Sequence, residues 1–334
     1  MLYGWAVHRS WKMWVGFAIS GIALVLTLRN VDFRELARAL GEARLVWLAP
    51  AAVFWIVSYF ARAARWSLFM GGTPYWVTMH AQNIGYMLNC TLPFRLGEVA
   101  RAYVMGEKSH VSMARALSSI IVERVLDLAT VVLMFVVFAQ FIPMPPSFSR
   151  AAMGGGALIF VMLAMGGLLV WKADAAEKRV LGPILGRISP TLAAKVLPKV
   201  REVADGFRVV GSARRMVSAL GLTFVVWGAM TIFTYYVMCA FLPGFMERAG
   251  LMLVVANLGG AVPSAPGGLG IVQGFAKSAL VIPFHVPEEP ALAFVFVWSL
   301  GQQLLLIVLG IYSLARVGMT FAQVRQGAPA TPPV

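Results

Sequence analysis

Residues 88–103 read LNCTLPFRLGEVARAY and interrupt a chain that is otherwise strongly apolar. A proline, two arginines, a glycine and a glutamate stand where a membrane span would be due. The composition around them sets the class. Of 334 residues, 60% are hydrophobic and 13% charged, which ordinary soluble domains do not show. A helix needs about 20 mostly apolar residues to cross the hydrocarbon core. The chain has several such runs and no series of short alternating segments, so a polytopic helical protein is expected rather than a closed β-barrel.

Six full spans are expected at 11–28, 45–66, 112–140, 150–171, 217–241 and 291–314. The run after HRSWK (8–12) resembles a signal peptide but lacks a small-x-small cleavage site, and it reads as a retained span. Segments 75–104 and 249–284 are apolar but punctuated by Pro, Gly and polar residues. Each reads as a re-entrant pair of short half-helices. The fold class is therefore all-α and polytopic, six full transmembrane helices plus two re-entrant broken-helix segments.

Net charge is +14, and the basic residues mostly flank the spans, so nucleic acid is not the implied partner. Segment 172–215 carries ten Lys and Arg against four acids and is expected in the cytoplasm, whereas 141–149 carries no charge and fits the outside. Both termini then fall in the cytoplasm of a multi-pass protein in a bacterial-type inner (plasma) membrane. The loop 29–44, with four arginines, opposes this orientation, although Asp32, Glu35 and Glu42 offset most of its charge. Val196, Val200, Val203, Phe207 and Val210 recur at helical spacing within the linker, as in a helix lying on an anionic leaflet or on the ends of the spans.

With this orientation the two halves have the same order of segments and opposite topology: 1–140 with its re-entrant segment 75–104, and 141–320 with the linker 172–215 and the re-entrant segment 249–284. Residues 321–334, ending GAPATPPV, read as a disordered tail. An inverted repeat of this kind places a substrate site at the repeat interface.

Three stretches carry candidate chemistry. In 88–103, Pro93 and Gly97 break a helix and free backbone groups that must be buried or face a wet cavity. Arg95, Glu98 and Arg101 follow at spacings of three, near one another on a helix. Two guanidiniums with one carboxylate suit a phosphate headgroup; a surface ion-pair cluster is the competing reading. In SSIIVERVLDLATVVLMF (118–135), Glu123 lies roughly 16 Å along the axis from a helix start near Ser112, at about 1.5 Å per residue. Glu123, Arg124 and Asp127 are then ionisable groups at membrane depth, either a lipid-headgroup site or a lock on Arg95 or Arg101. In NLGGAVPSAPGGLGIVQGFAK (257–277), Pro263, Pro266, Gly267, Gly268 and Gly270 permit a tight re-entrant turn, ahead of Gln273.

The scattered histidines and the single Cys90 and Cys239 form no metal-ligand spacing, and GxSxG, HExxH and Walker patterns are absent, so no catalytic residue, cofactor or metal is assigned.

LPFRLGEVARAY, IIVERVLDLATV and VPSAPGGLGIVQGF together resemble the membrane region of lysylphosphatidylglycerol synthases and the stand-alone flippase-like proteins related to it. The resemblance covers roughly 11–320. It implies a helical bundle with two re-entrant segments that moves lipids between leaflets. It carries Arg95, Gly97, Glu98, Arg101, Glu123, Arg124 and Asp127 over to motif positions, and sets Gln273 where an acidic residue is expected. The synthases also carry a soluble aminoacyl-transfer domain after the membrane region, and only 315–334 follow the last expected span here, so that domain is not expected. The implied function is movement of an anionic or amphipathic lipid. Two alternatives are an accessory to an enzyme of envelope-lipid or polyprenyl-linked glycan synthesis, and a lipid-modifying transferase. The implied partners are membrane lipids and such an enzyme; no oligomeric state is assigned.

Overall fold

The computed structural model describes residues 21–29, 31–71, 73–92, 96–141, 160–161, 213–260 and 266–327, and every regular element among them is helical. Residues 21–28 are helical. They precede α1 (Phe33–Gly41), α2 (Leu48–Phe69), α3 (Tyr75–Thr91), α4 (Gly97–Lys108) and α5 (Met113–Ala139). The second half has α6 (Ala213–Phe241), α7 (Met246–Gly260), α8 (Ile271–Phe284), α9 (Glu288–Val317) and α10 (Phe321–Gly327).

Four stretches are long and apolar enough to cross a membrane: Leu45–Phe69, Arg214–Phe241, Pro266–Phe284 and Glu288–Val317. The chain is a multi-pass membrane protein. The expected spans 11–28 and 150–171 lie largely outside the described residues, as do Pro93, Arg95, Pro263 and nearly all of the linker 172–215. The expected span 112–140 is a 27-residue helix capped by the Ser112 hydroxyl, but Arg115, Glu123, Arg124 and Asp127 make it too charged to be counted by composition. Pro266–Phe284, which the sequence assigns to a re-entrant pair, is itself long and apolar enough to cross.

Both punctuated segments fold as two helices packed on each other, α3 on α4 and α7 on α8. In the first pair the contact is glycine on glycine. A Cβ at Gly97 would collide with the carbonyl oxygen of Gly85 and with Asn89, and one at Gly85 would meet Gly97 and Arg101. The Asn89 side chain accepts the Gly97 N–H at 2.9 Å, which satisfies one of the donors freed where α4 begins. In the second pair the turn uses Gly267, Gly268 and Gly270 at φ of 66°, 68° and 84°, a region that glycine enters without steric cost.

The halves interlock. α2 packs along α6, α3 along α9 and α5 against α7. The first two pairs are antiparallel. Arg44, Trp47, Ser58 and Arg65 meet Ala240, Tyr236, Val226 and Thr223 in turn. His80 and Asn83 meet Ser313, while a Cβ at Gly310 would strike Met87.

Two segments read as irregular are helical. Within 29–44, Asp32 caps α1 by accepting from the N–H groups of Arg34 and Glu35, at 2.7 and 3.4 Å. Leu36 is the buried residue of α1, and Arg34 and Arg38 are exposed. The expected tail also begins with structure: α10 packs on α4, with Thr320 and Gln323 capping each other and Val324 buried.

Candidate functional site

The helices α2, α4 and α5 bring six ionisable side chains together. Glu123 and Asp127 lie four apart on α5, hence on one face, and both are buried. Between them sits Arg65 of α2. Its Nη1 lies 2.7 Å from Asp127 Oδ1 and its Nη2 3.2 Å from Asp127 Oδ2, a two-pronged contact. Nη2 also lies 3.2 Å from Glu123 Oε1, and Nη1 donates to the Thr223 hydroxyl at 3.0 Å. The indole N–H of Trp227 donates to Asp127 Oδ1 at 3.1 Å. A hydroxyl and an indole of α6 therefore complete a site whose charges come from α2 and α5.

On the other side of Glu123 stands Arg101 of α4, with Nη2 3.2 Å from Glu123 Oε2 and Cζ 4.8 Å from the centre of the Trp66 ring. Trp66 is held by its own N–H, which donates to Ser119 at 2.9 Å. Arg124 points to the edge of the cluster. It lies 2.9 Å from Glu123, 3.5 Å from Glu98 and 3.6 Å from Asp127. Its side chain keeps 36% of its exposure and that of Glu98 keeps 21%, whereas the side chains of Arg65, Arg101 and Glu123 keep 1% or less. The network thus has a dry interior and one accessible edge, Glu98–Arg124.

Three guanidiniums face three carboxylates, so the formal charges cancel. Isolated charges in hydrocarbon cost several kcal/mol, and ion pairs completed by further hydrogen bonds offset that cost, as at Arg65 and Asp127; Arg101 and Glu123 Oε2 meet as an ion pair without a hydrogen bond. The structure joins Glu98, Arg101, Glu123, Arg124 and Asp127, as the sequence pattern anticipates; Arg95 lies outside the described residues. Arg65 escapes a reading of the sequence because it stands one residue from the end of the expected span 45–66, where basic residues ordinarily flank a span. A signal is nonetheless present: Arg62 and Arg65, three apart in SYFARAARWSLF (58–69), are charges in an apolar helix.

The second hairpin carries a neutral counterpart. Gln273 accepts the Gly270 N–H at 2.8 Å and donates to Ser299 Oγ at 3.0 Å, both ends of the amide being used. Gln303 donates to the Gly267 carbonyl at 3.1 Å. The two amides therefore clamp the glycine turn to α9. A carboxylate at 273 would still accept from Gly270, and with no N–H to give it could keep Ser299 only by accepting from its hydroxyl. Lys277 ties residues 21–28 to this region, donating to the Thr27 carbonyl at 3.0 Å and pairing with Glu288 at 2.6 Å. Among the described residues no group of three or more His, Cys, Asp or Glu side chains is arranged to hold a metal ion.

A family of known proteins matches this chain over residues 13–310, described as the lysylphosphatidylglycerol synthase TM region. A UPF0104 membrane protein of Pyrococcus horikoshii is 26% identical over 301 residues, covering 82% of this chain and 88% of that protein. A UPF0104 membrane protein of Methanothermobacter thermautotrophicus is 25% identical over 278 residues, 77% of this chain and 81% of that one. The glycosyltransferase AglD of Haloferax volcanii is 24% identical over 297 residues, 77% of this chain, and the match spans 47% of that relative.

Proposed function

The chain belongs to the lysylphosphatidylglycerol synthase transmembrane-region family, and from that premise we propose that it moves an anionic or amphipathic lipid between the leaflets of the inner membrane. The observation that carries this reading is the ion network at mid-helix. Thr223 and Trp227 stand about 15–20 Å along α6 from its start, and Glu123 about 15 Å along α5 from its own, at about 1.5 Å per residue. Charges at that depth mark substrate paths more often than plain packing contacts. The Glu98–Arg124 edge offers a passing headgroup a carboxylate and a guanidinium that are partly exposed, while the dry interior holds α2, α4 and α5 in place.

In this reading residues 1–140 and 141–320 are inverted repeats, each with a helix hairpin, and six spans with two re-entrant pairs complete the fold. The antiparallel packing of α2 on α6 supports it. If α2 and α6 are counterparts, a two-fold axis exchanging them must lie across the helix axes, in the plane of the membrane. The termini and the 172–215 linker then lie in the cytoplasm.

One relative favours a second reading. The glycosyltransferase AglD contains the matched region in less than half of its length. A membrane region of this kind can therefore also accompany a glycosyltransferase, and in the second reading this chain is an accessory to such an enzyme with no transport of its own. Reconstitution separates the two readings. Liposomes carrying the purified chain and a headgroup-labelled phospholipid should exchange label between leaflets faster than protein-free liposomes; a rate equal to the blank favours the accessory reading.

A further inference from the structure

Beside the ion network, and separated from it by Trp227, lies a cavity of about 200 Å³ lined by α2, α3, α6, α7 and α9. Trp55, Trp227, Trp298, Met230, Leu253 and Leu306 supply half of its lining residues, and the others carry polar groups. The indole N–H of Trp227 is committed to Asp127 and that of Trp298 to Thr234, so these rings contribute apolar surface. The Tyr59 hydroxyl, too, is committed, donating to Asn83 at 2.8 Å.

Among the hydroxyl and guanidinium donors on the wall, two are uncommitted. The hydroxyl of Tyr86 is buried without a hydrogen-bond partner. Arg62 has no carboxylate within ion-pair distance among the described residues; its Nε reaches Ser58 Oγ at 3.5 Å, the limit of a hydrogen bond, and its Cζ stands 5.9 Å from the Trp227 ring. Arg62 is near enough to interact electrostatically with Glu123. Adding it to the network gives four guanidiniums (62, 65, 101, 124) against three carboxylates (98, 123, 127), a formal surplus of one positive charge. In a medium of low dielectric such a surplus favours uptake of one negative charge.

We propose that this cavity binds a phosphodiester anion, with Arg62 and Tyr86 as its ligands and the tryptophan wall against the adjoining carbon chain. This rests on the translocation reading and adds to it the chemical group that the protein holds. A phosphodiester carries a single negative charge and matches the surplus of one; a phosphomonoester, nearer two, would leave an excess against an apolar wall. The planar guanidinium presents parallel N–H groups to two phosphate oxygens, and the Tyr86 hydroxyl donates to one of them. The apolar wall suits the glycerol and first methylenes of a phospholipid.

Binding is measured on the purified full chain in dodecyl maltoside micelles, which contain no phosphate group, by the fluorescence of its tryptophans. Phosphatidylglycerol, soluble glycerophosphorylglycerol and inorganic phosphate are the three ligands. Wild-type protein should respond to phosphatidylglycerol, and Arg62→Gln should weaken that response about tenfold or more, since it removes a charge-assisted hydrogen bond. Arg62→Lys should fall between, and Tyr86→Phe should weaken binding several-fold with ring and volume kept. If Arg62→Gln does not fold, Tyr86→Phe carries the test alone. Equal affinity for phosphatidylglycerol and the soluble diester supports a phosphodiester site but assigns it to a free ligand. Inorganic phosphate bound as tightly as either, or unchanged affinity in both variants, overturns the proposal. Phosphatidylglycerol binding that needs Arg62 without any leaflet exchange would sink translocation and leave this site standing. Leaflet exchange with both variants binding normally would do the reverse.

Discussion

Glu123 is the carboxylate on which the network closes, since Arg65, Arg101 and Arg124 all lie within 3.2 Å of it. Glu123→Gln leaves the two buried guanidiniums undercompensated, and the expected loss is about 3–5 kcal/mol, seen as a lower thermal midpoint in detergent. Adding Arg101→Met should restore part of the loss, because the charge count balances again and Trp66 keeps an apolar neighbour. A single variant with the wild-type midpoint would mean that these charges are solvated. Gly97 tests the first hairpin independently. Gly97→Ala places a methyl group against the Gly85 carbonyl and Asn89, so α3 and α4 must separate, and a loss of about 1–3 kcal/mol is expected. A neutral result there would contradict the close helix contact. At this scale much is legible in the sequence. The spacing groups Glu98 with Arg101 on one helix and Glu123 with Arg124 and Asp127 on another, and contact between the two groups is one of the two readings the sequence leaves open. Arg65 stays hidden because the two arginines near the end of the expected span 45–66 read as its basic flank, although their three-residue spacing marks the position.

The two hairpins solve one problem with different chemistry. Both must satisfy backbone groups freed at a break within the apolar core. The first uses Asn89 and a charged neighbourhood, and the second uses Gln273 and Gln303 on a glycine turn. Gln273→Leu removes both bonds and should destabilise by about 1–3 kcal/mol, whereas Gln273→Glu keeps the acceptor for Gly270 and loses the donor to Ser299. Gln273→Glu should therefore cost less than Gln273→Leu when the carboxyl is protonated and more when it is ionised, so its thermal midpoint should fall as pH rises. A midpoint independent of pH would show that position 273 is reached by water. Proline and glycine punctuation makes the hairpins visible in the sequence. The short helices α1 and α10 are not, because each is shorter than a span. Their caps, Asp32 and Thr320, are the signals that a search for membrane spans passes over.

At the scale of the whole molecule, the pairing of α2 with α6, α3 with α9 and α5 with α7 is what an exchange of two similar halves would produce. Order and hydropathy suggest which segments would correspond in two repeats, but not which helices pack as pairs, since contact between distant elements leaves no periodicity. The orientation rests on the ten Lys and Arg of 172–215. In a background lacking Cys90 and Cys239, a cysteine at 187 should resist membrane-impermeant reagents in intact cells and react after permeabilisation. Ready labelling from outside would invert the topology.

The central claim is that the accessible edge of the ion network lies on the path of a lipid headgroup. It is tested most directly by leaflet exchange of a headgroup-labelled phospholipid in liposomes carrying wild type, Glu98→Gln or Arg124→Gln, each with its thermal midpoint measured. Glu98→Gln should slow exchange about tenfold or more while the midpoint stays near wild type, because Glu98 is partly exposed and its loss removes one edge contact of an otherwise intact network. Arg124→Gln should slow it further. Wild-type exchange in both variants, with the protein folded, would contradict the claim and return these residues to a structural role.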